Sequence, residues 1–190
     1  AMIDGTVKNQ FGLPEPSDDC RDCHAPKVIL FAPGELDPPG QSQIVPITLV
    51  RLGQVALVCM PGEVTTMAGR RLRGTVAQEL GIEPSRVVIV GYANDFSGYI
   101  TTREEYGTQQ YEGGHTLFGP WTLAAYQQEF ARLARAMVAG QAANEGPAPV
   151  DMRGQVVSSH LATEHADALP RSAEFGEETG KLRKNYDRGS

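Results

Sequence analysis

Apolar residues along this chain fall into two rhythms. Up to residue 60 they come in short runs: Val28-Ile29-Leu30-Phe31, then "IVPITLVRLGQVALVCM" over 44–60, broken at Gly53. Runs of this kind, bounded by Gly and Pro, predict strands. The pattern therefore predicts a short buried strand over 27–31, a turn over 37–43, and a strand pair or bent strand about Gly53. After Glu63 the period lengthens. Val64, Ala68, Leu72, Val76 and Leu80 recur every four residues, which is one face of a helix. Thr65 or Thr66 would cap its start, and Gly81 suits a left-handed stop. Arg86–Val90 reads as a strand. A second helix is predicted over 121–138, with Leu123, Tyr126, Phe130, Leu133 and Met137 on one stripe. Between these elements lies a long polar and aromatic loop, 91–120, with a short helix near 103–110. Loops of that length in compact domains are functional or disordered, and the aromatic content argues for order. Residues 1–26 read as loop. Residues 140–190 lose periodicity and read as linker.

The order strand–turn–helix–strand–loop–helix is an α/β signature. In such sheets ligands gather beyond the carboxyl ends of the strands. This separates two copies of one tripeptide. Pro33-Gly34-Glu35 runs into the turn Asp37-Pro38-Pro39-Gly40, so Glu35 is expected to cap a turn. Pro61-Gly62-Glu63 ends a strand and opens a helix. If the strands on either side of that helix are parallel neighbours, Glu63 and the 91–102 loop face one crevice.

Composition narrows the class. One domain, with an appendage at most, suits 190 residues. A formal charge of −6 argues against a nucleic-acid partner, whose footprint is basic. No apolar run approaches the roughly 20 residues of a membrane helix. The opening "AMIDGTVKNQFGLPEPSDD" lacks the basic and apolar regions of a signal peptide and reads as the middle of a longer sequence. Three cysteines give no disulfide framework, and Cys59, inside an apolar run, is expected to be a buried small hydrophobe.

Several groups could carry chemistry, each with a plainer alternative. Cys20-Arg21-Asp22-Cys23-His24 matches the Cys-x-x-Cys-His pattern of haem attachment, and its Cys-x-x-Cys could bind zinc; loop cysteines or a loop disulfide are the alternative. Glu63 is either a metal ligand or general base, or a helix N-terminal carboxylate favoured by the macrodipole. Tyr92, Tyr99, Tyr106 and Tyr111, with Asn94, Asp95, Thr101 and Thr102, suit a polar site with an apolar wall, or packing of amphipathic rings. His115 is a ligand or acid–base candidate, or a solvent-facing loop residue. Arg70, Arg71 and Arg73 could orient a substrate or form a solvated helix face. His160 and His165 lie in the tail.

Two stretches, "PGEVTTMAGRRLR" (61–73) and "YITTREEYGTQQYEGGHTLFGPWTLAAYQQEF" (99–130), resemble the neutral, or neutral/alkaline, ceramidase family. "CHAPKVIL" (23–30), "IVPITLVRLGQVALVCMPGE" (44–63) and "FGEETGKLRKNYDRG" (175–189) support the resemblance. It implies a zinc amidohydrolase that cleaves the N-acyl bond of ceramide to sphingosine and a fatty acid. It implies that Glu63 is a zinc ligand, and that Tyr99, 36 residues on, reaches the same zinc and stabilises the oxyanion of the transition state. It implies a mixed-sheet α/β zinc-hydrolase catalytic domain, with residues 1–145 as its C-terminal portion. Residues 146–190 would be a linker toward an immunoglobulin-like domain that the chain lacks.

The resemblance also implies two histidine ligands and a Gly-Asp-Val-Ser-Pro-Asn motif from upstream segments. None of His24, His115, His160 or His165 matches the histidine motifs. By itself the chain is therefore expected to hold zinc weakly and to be inactive. The expected partners are the missing N-terminal part of the catalytic domain, the immunoglobulin-like domain, a ceramide or sphingolipid substrate and a peripheral membrane surface. The expected location is secreted or extracellular/periplasmic. Two other readings keep the fold: a non-catalytic lipid-binding module, and an amidase for other N-acyl lipids.

Overall fold

The two apolar runs about Gly53 form a hairpin. Strand β1, Thr48–Leu52, lies antiparallel to β2, Val55–Cys59, with Leu52 opposite Val55 across a two-residue turn. The computed structural model of the chain describes residues 15–151, apart from 30, 31, 38 and 109. These all fall within the first of the chain's two units, Ala1–Asp151. The linker expected beyond residue 151, with His160 and His165, lies outside the described residues.

Beyond β2 the chain makes the Pro61-Gly62 turn, contributes the two-residue strand β3, Glu63–Val64, and enters helix α2, Thr66–Leu80. The expected face is the buried one: Ala68, Leu72, Val76 and Leu80 are all in the core. Of the two candidate caps, Thr65 is used. Its hydroxyl accepts the Ala68 N–H at 3.2 Å, and Gly81 ends the helix at φ 63°, ψ 37°. A single 3-10 turn, Pro84–Arg86, leads into β4, Val87–Val90, which pairs parallel to β2 with Ala56 opposite Val87. β2–α2–β4 is thus the parallel crossover unit that the alternating elements predict. The long polar segment then contributes β5, Tyr99–Ile100, and two one-turn helices, α3, Arg103–Tyr106, and α4, Tyr111–Gly114. Helix α5, Thr122–Val138, closes the unit. It packs against α2 and, with it, against Ala56, Val58 and Val87 of the sheet. Phe130 and Leu72 are fully buried where the layers meet.

Four expectations change. Asp18–His24 is a helix, α1, rather than loop. It has no apolar stripe, and its signals are Ser17, which caps Cys20 N–H at 3.1 Å, and two aspartates in the first turn. Residues 27–29 are not strand, and Val28 is 59% exposed. Among the described residues the 27–29 segment pairs with no strand. Cys59 is half-buried rather than buried. Glu35 does not cap its own turn: its carboxylate accepts from the Ser17 backbone N–H at 2.9 Å and from the Ser17 hydroxyl, clasping the start of α1. Those bonds hold its carboxyl below the usual range. Gln141–Asp151 carry no regular secondary structure, as the loss of periodicity predicts.

Thr65→Ala is expected to lower stability by about 1 kcal/mol, the usual worth of an N-cap. Thr66→Ala, an exposed site one residue later, should stay within about 0.5 kcal/mol of the parent. Urea unfolding of both variants measures the contrast.

Candidate active site

The strands β3 and β5 are only two residues long, and their register decides the site. They pair in parallel with Glu63 opposite Tyr99 and Val64 opposite Ile100. Side chains alternate across a strand, so one rung faces in and the other out. Ile100 is fully buried and Val64 packs against the core. Glu63 and Tyr99 are thereby turned together to the opposite side.

Close backbone contacts hold this ladder. The Glu63 N–H donates to the Gly98 carbonyl at 2.9 Å, the Thr65 N–H to the Ile100 carbonyl at 3.1 Å, and the Tyr99 N–H to the His115 carbonyl at 3.0 Å. The residue before each site residue must be glycine. A Cβ on Gly62 would stand 2.6 Å from the Gly98 carbonyl oxygen. One on Gly98, whose φ is 80°, would stand 2.7 Å from the His115 carbonyl oxygen.

Polar side chains buttress the pair. The Thr65 hydroxyl donates to Glu105 Oε2 at 2.7 Å, joining the start of α2 to the start of α3. Thr102 and Glu105 form a reciprocal capping box, at 3.1 and 2.8 Å. Burial works against ionised Glu105, but the hydrogen bonds from Thr65 and Thr102 outweigh it and its pKa is lowered. Arg71 grips Glu104 through two bonds, 2.8 and 3.2 Å, and holds that carboxyl down to about 2. Of the three arginines, Arg71 is thus paired and Arg70 is solvent-exposed. Arg73 has a buried Nε that finds no protein partner among the described residues.

Glu63 lines two clefts. One, of about 500 Å³, also takes in Tyr99, Thr65, Glu105 and Glu112. The other, of about 620 Å³, takes in Arg70, Arg73, Ile89 and Tyr92. Tyr99 shares the first of these clefts with Glu63 and Tyr92 the second. Each phenol has its pKa raised, first by hydrogen bonding to Glu63 and then by desolvation and the carboxylate's charge. Tyr111 meets the Tyr99 ring edge-on at 5.5 Å, and the His115 ring does so at 6.0 Å. The structure therefore brings together Glu63, Tyr99, Tyr92, Tyr111 and His115. It leaves out Tyr106, whose hydroxyl lies 2.7 Å from His24 Nδ1 beneath Lys27 and whose pKa burial pushes up to about 12. Thr101 and Thr102 are buried supports. Sequence reasoning saw Tyr92 only as one of a crowd. Its place beside Glu63 depends on a left-handed backbone, φ 54°, that no residue pattern announces.

Glu63 and Tyr99 present oxygen donors from one ladder, of a kind that a divalent cation, zinc among them, accepts. They are two donors, and a catalytic zinc takes three from protein. Among the described residues no group of three or more His, Cys, Asp and Glu side chains is arranged to hold a metal. Cys20 and Cys23 are free thiols on α1, and His24 is buried against Tyr106.

The model for "neutral/alkaline non-lysosomal ceramidase, N-terminal" matches residues 3–128. The chain belongs to the neutral/alkaline ceramidase family. Neutral ceramidase A of Dictyostelium discoideum is 45% identical over 168 residues, covering 87% of this chain and 23% of that protein. The neutral ceramidase of Pseudomonas aeruginosa is 46% identical over 126 residues, covering 64% and 18%. A solved structure described as a ceramidase complexed with C2 superposes with a TM-score of 0.69 at 41% identity, over 73% of this chain and 22% of that one. The crystal structure of the Pseudomonas aeruginosa neutral ceramidase gives 0.68 at 38%, over 78% and 24%. This ceramidase-family chain spans about a quarter of the length of the curated relatives it matches.

Gly98→Ala should cost about 1–3 kcal/mol for the left-handed backbone alone, before the clash with His115. Gly114→Ala meets open space and should change stability by less than about 0.5 kcal/mol. Thermal unfolding of the two separates them.

Burial lowers the His24 pKa. The unfolded chain, near 6.5, then takes up a proton first. The stability from neutral His24 is complete above about pH 6.5 and is lost as pH falls below that, through the folded value. The stability gap between the parent and His24→Gln, from urea unfolding, should therefore narrow between about pH 7.5 and 5.5.

Proposed function

We propose that this chain is part of the catalytic region of a ceramidase, and that Glu63 and Tyr99 are two ligands of its catalytic zinc. The observation that carries the reading is the Glu63–Tyr99 rung, which turns a carboxylate and a phenol to one side with their neighbours locked in the core. The names of the relatives supply the substrate class, ceramide. Zinc, when bound, supplies Lewis acidity toward an amide carbonyl or water.

This chain's residues have separable tasks. Glu63 offers a charged oxygen fixed by the ladder. Tyr99 offers an oxygen to the cation and a proton toward the negative charge that develops on the amide oxygen. Hydrolysis forms a C–O bond to water, breaks the C–N bond, and delivers a proton to the leaving sphingosine amine. The remaining ligands would come from outside this chain, in a longer polypeptide. The sheet face away from the helices supports that. There Leu52, Val55 and Val88 are 60%, 38% and 44% exposed. A further layer of the same catalytic region would cover that apolar surface.

The proposal carries a site of action outside the cytoplasm and an approach to ceramide at a membrane surface. No described helix is long and apolar enough to cross a membrane. Discrimination among N-acyl lipids would rest partly on the segments outside this chain.

In the full-length polypeptide, Glu63→Gln and Tyr99→Phe should each lower ceramide hydrolysis by about 10²-fold or more while the unfolding midpoint is kept. Near-parental turnover in either would overturn the assignment. The 190-residue chain alone should take up zinc only weakly, measured by competition with a chromophoric chelator.

A further inference from the structure

Strand β4 has the sequence of an inner strand and the place of an outer one. Val87-Val88-Ile89-Val90 is apolar at every position. Strands of parallel sheets read this way when they are buried on both faces. Yet the sheet runs β1-β2-β4, and no described strand lies beyond β4. Edge strands that face water carry charges, Pro or bulges that block further pairing. β1, at the other edge, carries Arg51. β4 carries nothing of the kind.

The register identifies the backbone groups left open. Val90 lies opposite Cys59, and its carbonyl accepts the Met60 N–H at 2.9 Å. Along a parallel strand, residues that bond one neighbour alternate with residues that face the other side. Val88 and Val90 therefore bond β2, and the N–H and C=O of Ile89 point to the free edge. The Ile89 side chain packs against the core, which fixes that edge in place. The chain beyond Val90 turns the other way. Tyr92, Ala93 and Ser97 donate their N–H groups to the carbonyls of Gly62, Met60 and Pro61, on the side of β2.

A basic group lies beside the edge. Ile89 and Gly91 line the cleft of about 620 Å³ together with Arg70 and Arg73 of α2. The Arg73 Nε is buried and has no partner among the described residues. A buried N–H without an acceptor is costly, and a carboxylate is the acceptor that matches the guanidinium fork.

We propose that an extended segment of the longer polypeptide, outside this chain, adds as a strand to the free edge of β4 and brings an acidic side chain to Arg73. This rests on the reading of the chain as one part of a larger catalytic region. The chain spans about a quarter of the length of its relatives, so the polypeptide has ample length to supply the strand. Ile89 supplies main-chain bonds, as in other cases of strand addition. Arg73 supplies the register, because a charged anchor selects one alignment along a strand that is otherwise uniformly apolar. The added strand borders the cleft that Glu63 also lines.

The test is amide hydrogen exchange of the full-length polypeptide, resolved to single residues by fragmentation mass spectrometry. Val88 and Val90 are the internal reference. The Ile89 N–H should exchange within about tenfold of the Val88 N–H. Arg73→Met keeps an apolar stem and removes the guanidinium. It should speed exchange at Ile89 by about tenfold or more and leave Val88 unchanged. Rapid exchange at Ile89 beside a protected Val88 shows an open edge and overturns the inference. Protection that fades on dilution assigns the edge to a second copy and overturns it too. Protection that Arg73→Met leaves unchanged, or loses equally at Val88, removes the acidic anchor and with it the inference. None of these results decides the roles of Glu63 and Tyr99, which ceramide hydrolysis by their own variants tests separately.

Discussion

The site depends on a parallel ladder of two rungs. Two rungs are too few to hold themselves, so the register must be imposed from both sides. From below, Val64 and Ile100 lock it by burial: a slip of one residue would carry a carboxylate and a phenol into the core and expose Ile100. From above, the 91–98 loop is stitched to Met60, Pro61 and Gly62 by backbone bonds, and Tyr99 is stitched to His115. The glycines at 62 and 98 are the condition for both. With side chains there, the strands could not approach. Hydrophobic burial and backbone hydrogen bonding thus turn Glu63 and Tyr99 to one side.

The residues around the rung divide into chemistry and support. Thr65, Thr102 and Glu105 cap helix starts and tie α2 to α3. Their geometry is satisfied within the protein, and they have little left to offer a ligand. Arg71 and Glu104 make an exposed pair, which contributes little to stability but fixes the orientation of α3 beside α2. Glu63 is different. It lies at the start of a helix, where the macrodipole favours a carboxylate, yet the Thr65 hydroxyl provides the cap.

What the sequence made legible follows from where periodicity operates. The four-residue spacing of Ala68, Leu72, Val76 and Leu80 gave α2, and the stripe through Phe130 gave α5, because each buries one face over many turns. The apolar runs about Gly53 gave strands but left a pair or a bent strand open, and the parallel pairing after α2 stood only as a condition until the register showed both. Helix α1 was not: Asp-Asp-Cys-Arg-Asp-Cys-His presents no stripe, and its stability lies in a cap and a clasp to Glu35, a contact between residues 18 apart. β3 and β5 were not, since two residues carry no period. Glu63 and Tyr99 were reached through the family's spelling, and their direct pairing adds what no pattern could supply. The place of Tyr92 lay beyond reach because it comes from a positive φ that no spacing announces.

A carboxylate that shares its clefts with two phenols is an oxygen-rich arrangement. Glu63 carries two oxygens with about four lone-pair positions, so two phenolic protons leave acceptor capacity for a metal. A phenol that donates its proton to Glu63 still has lone pairs on its own oxygen. Tyr99 can therefore face the carboxylate and a cation at once. Hydrogen bonding to Glu63 is the first cause that raises the Tyr99 pKa, followed by desolvation and the carboxylate's charge. A nearby positive charge would reverse that shift, because it favours the ionised phenol that the carboxylate alone disfavours. On the reading proposed above, a cation held between Glu63 and Tyr99 would draw the phenolic proton away.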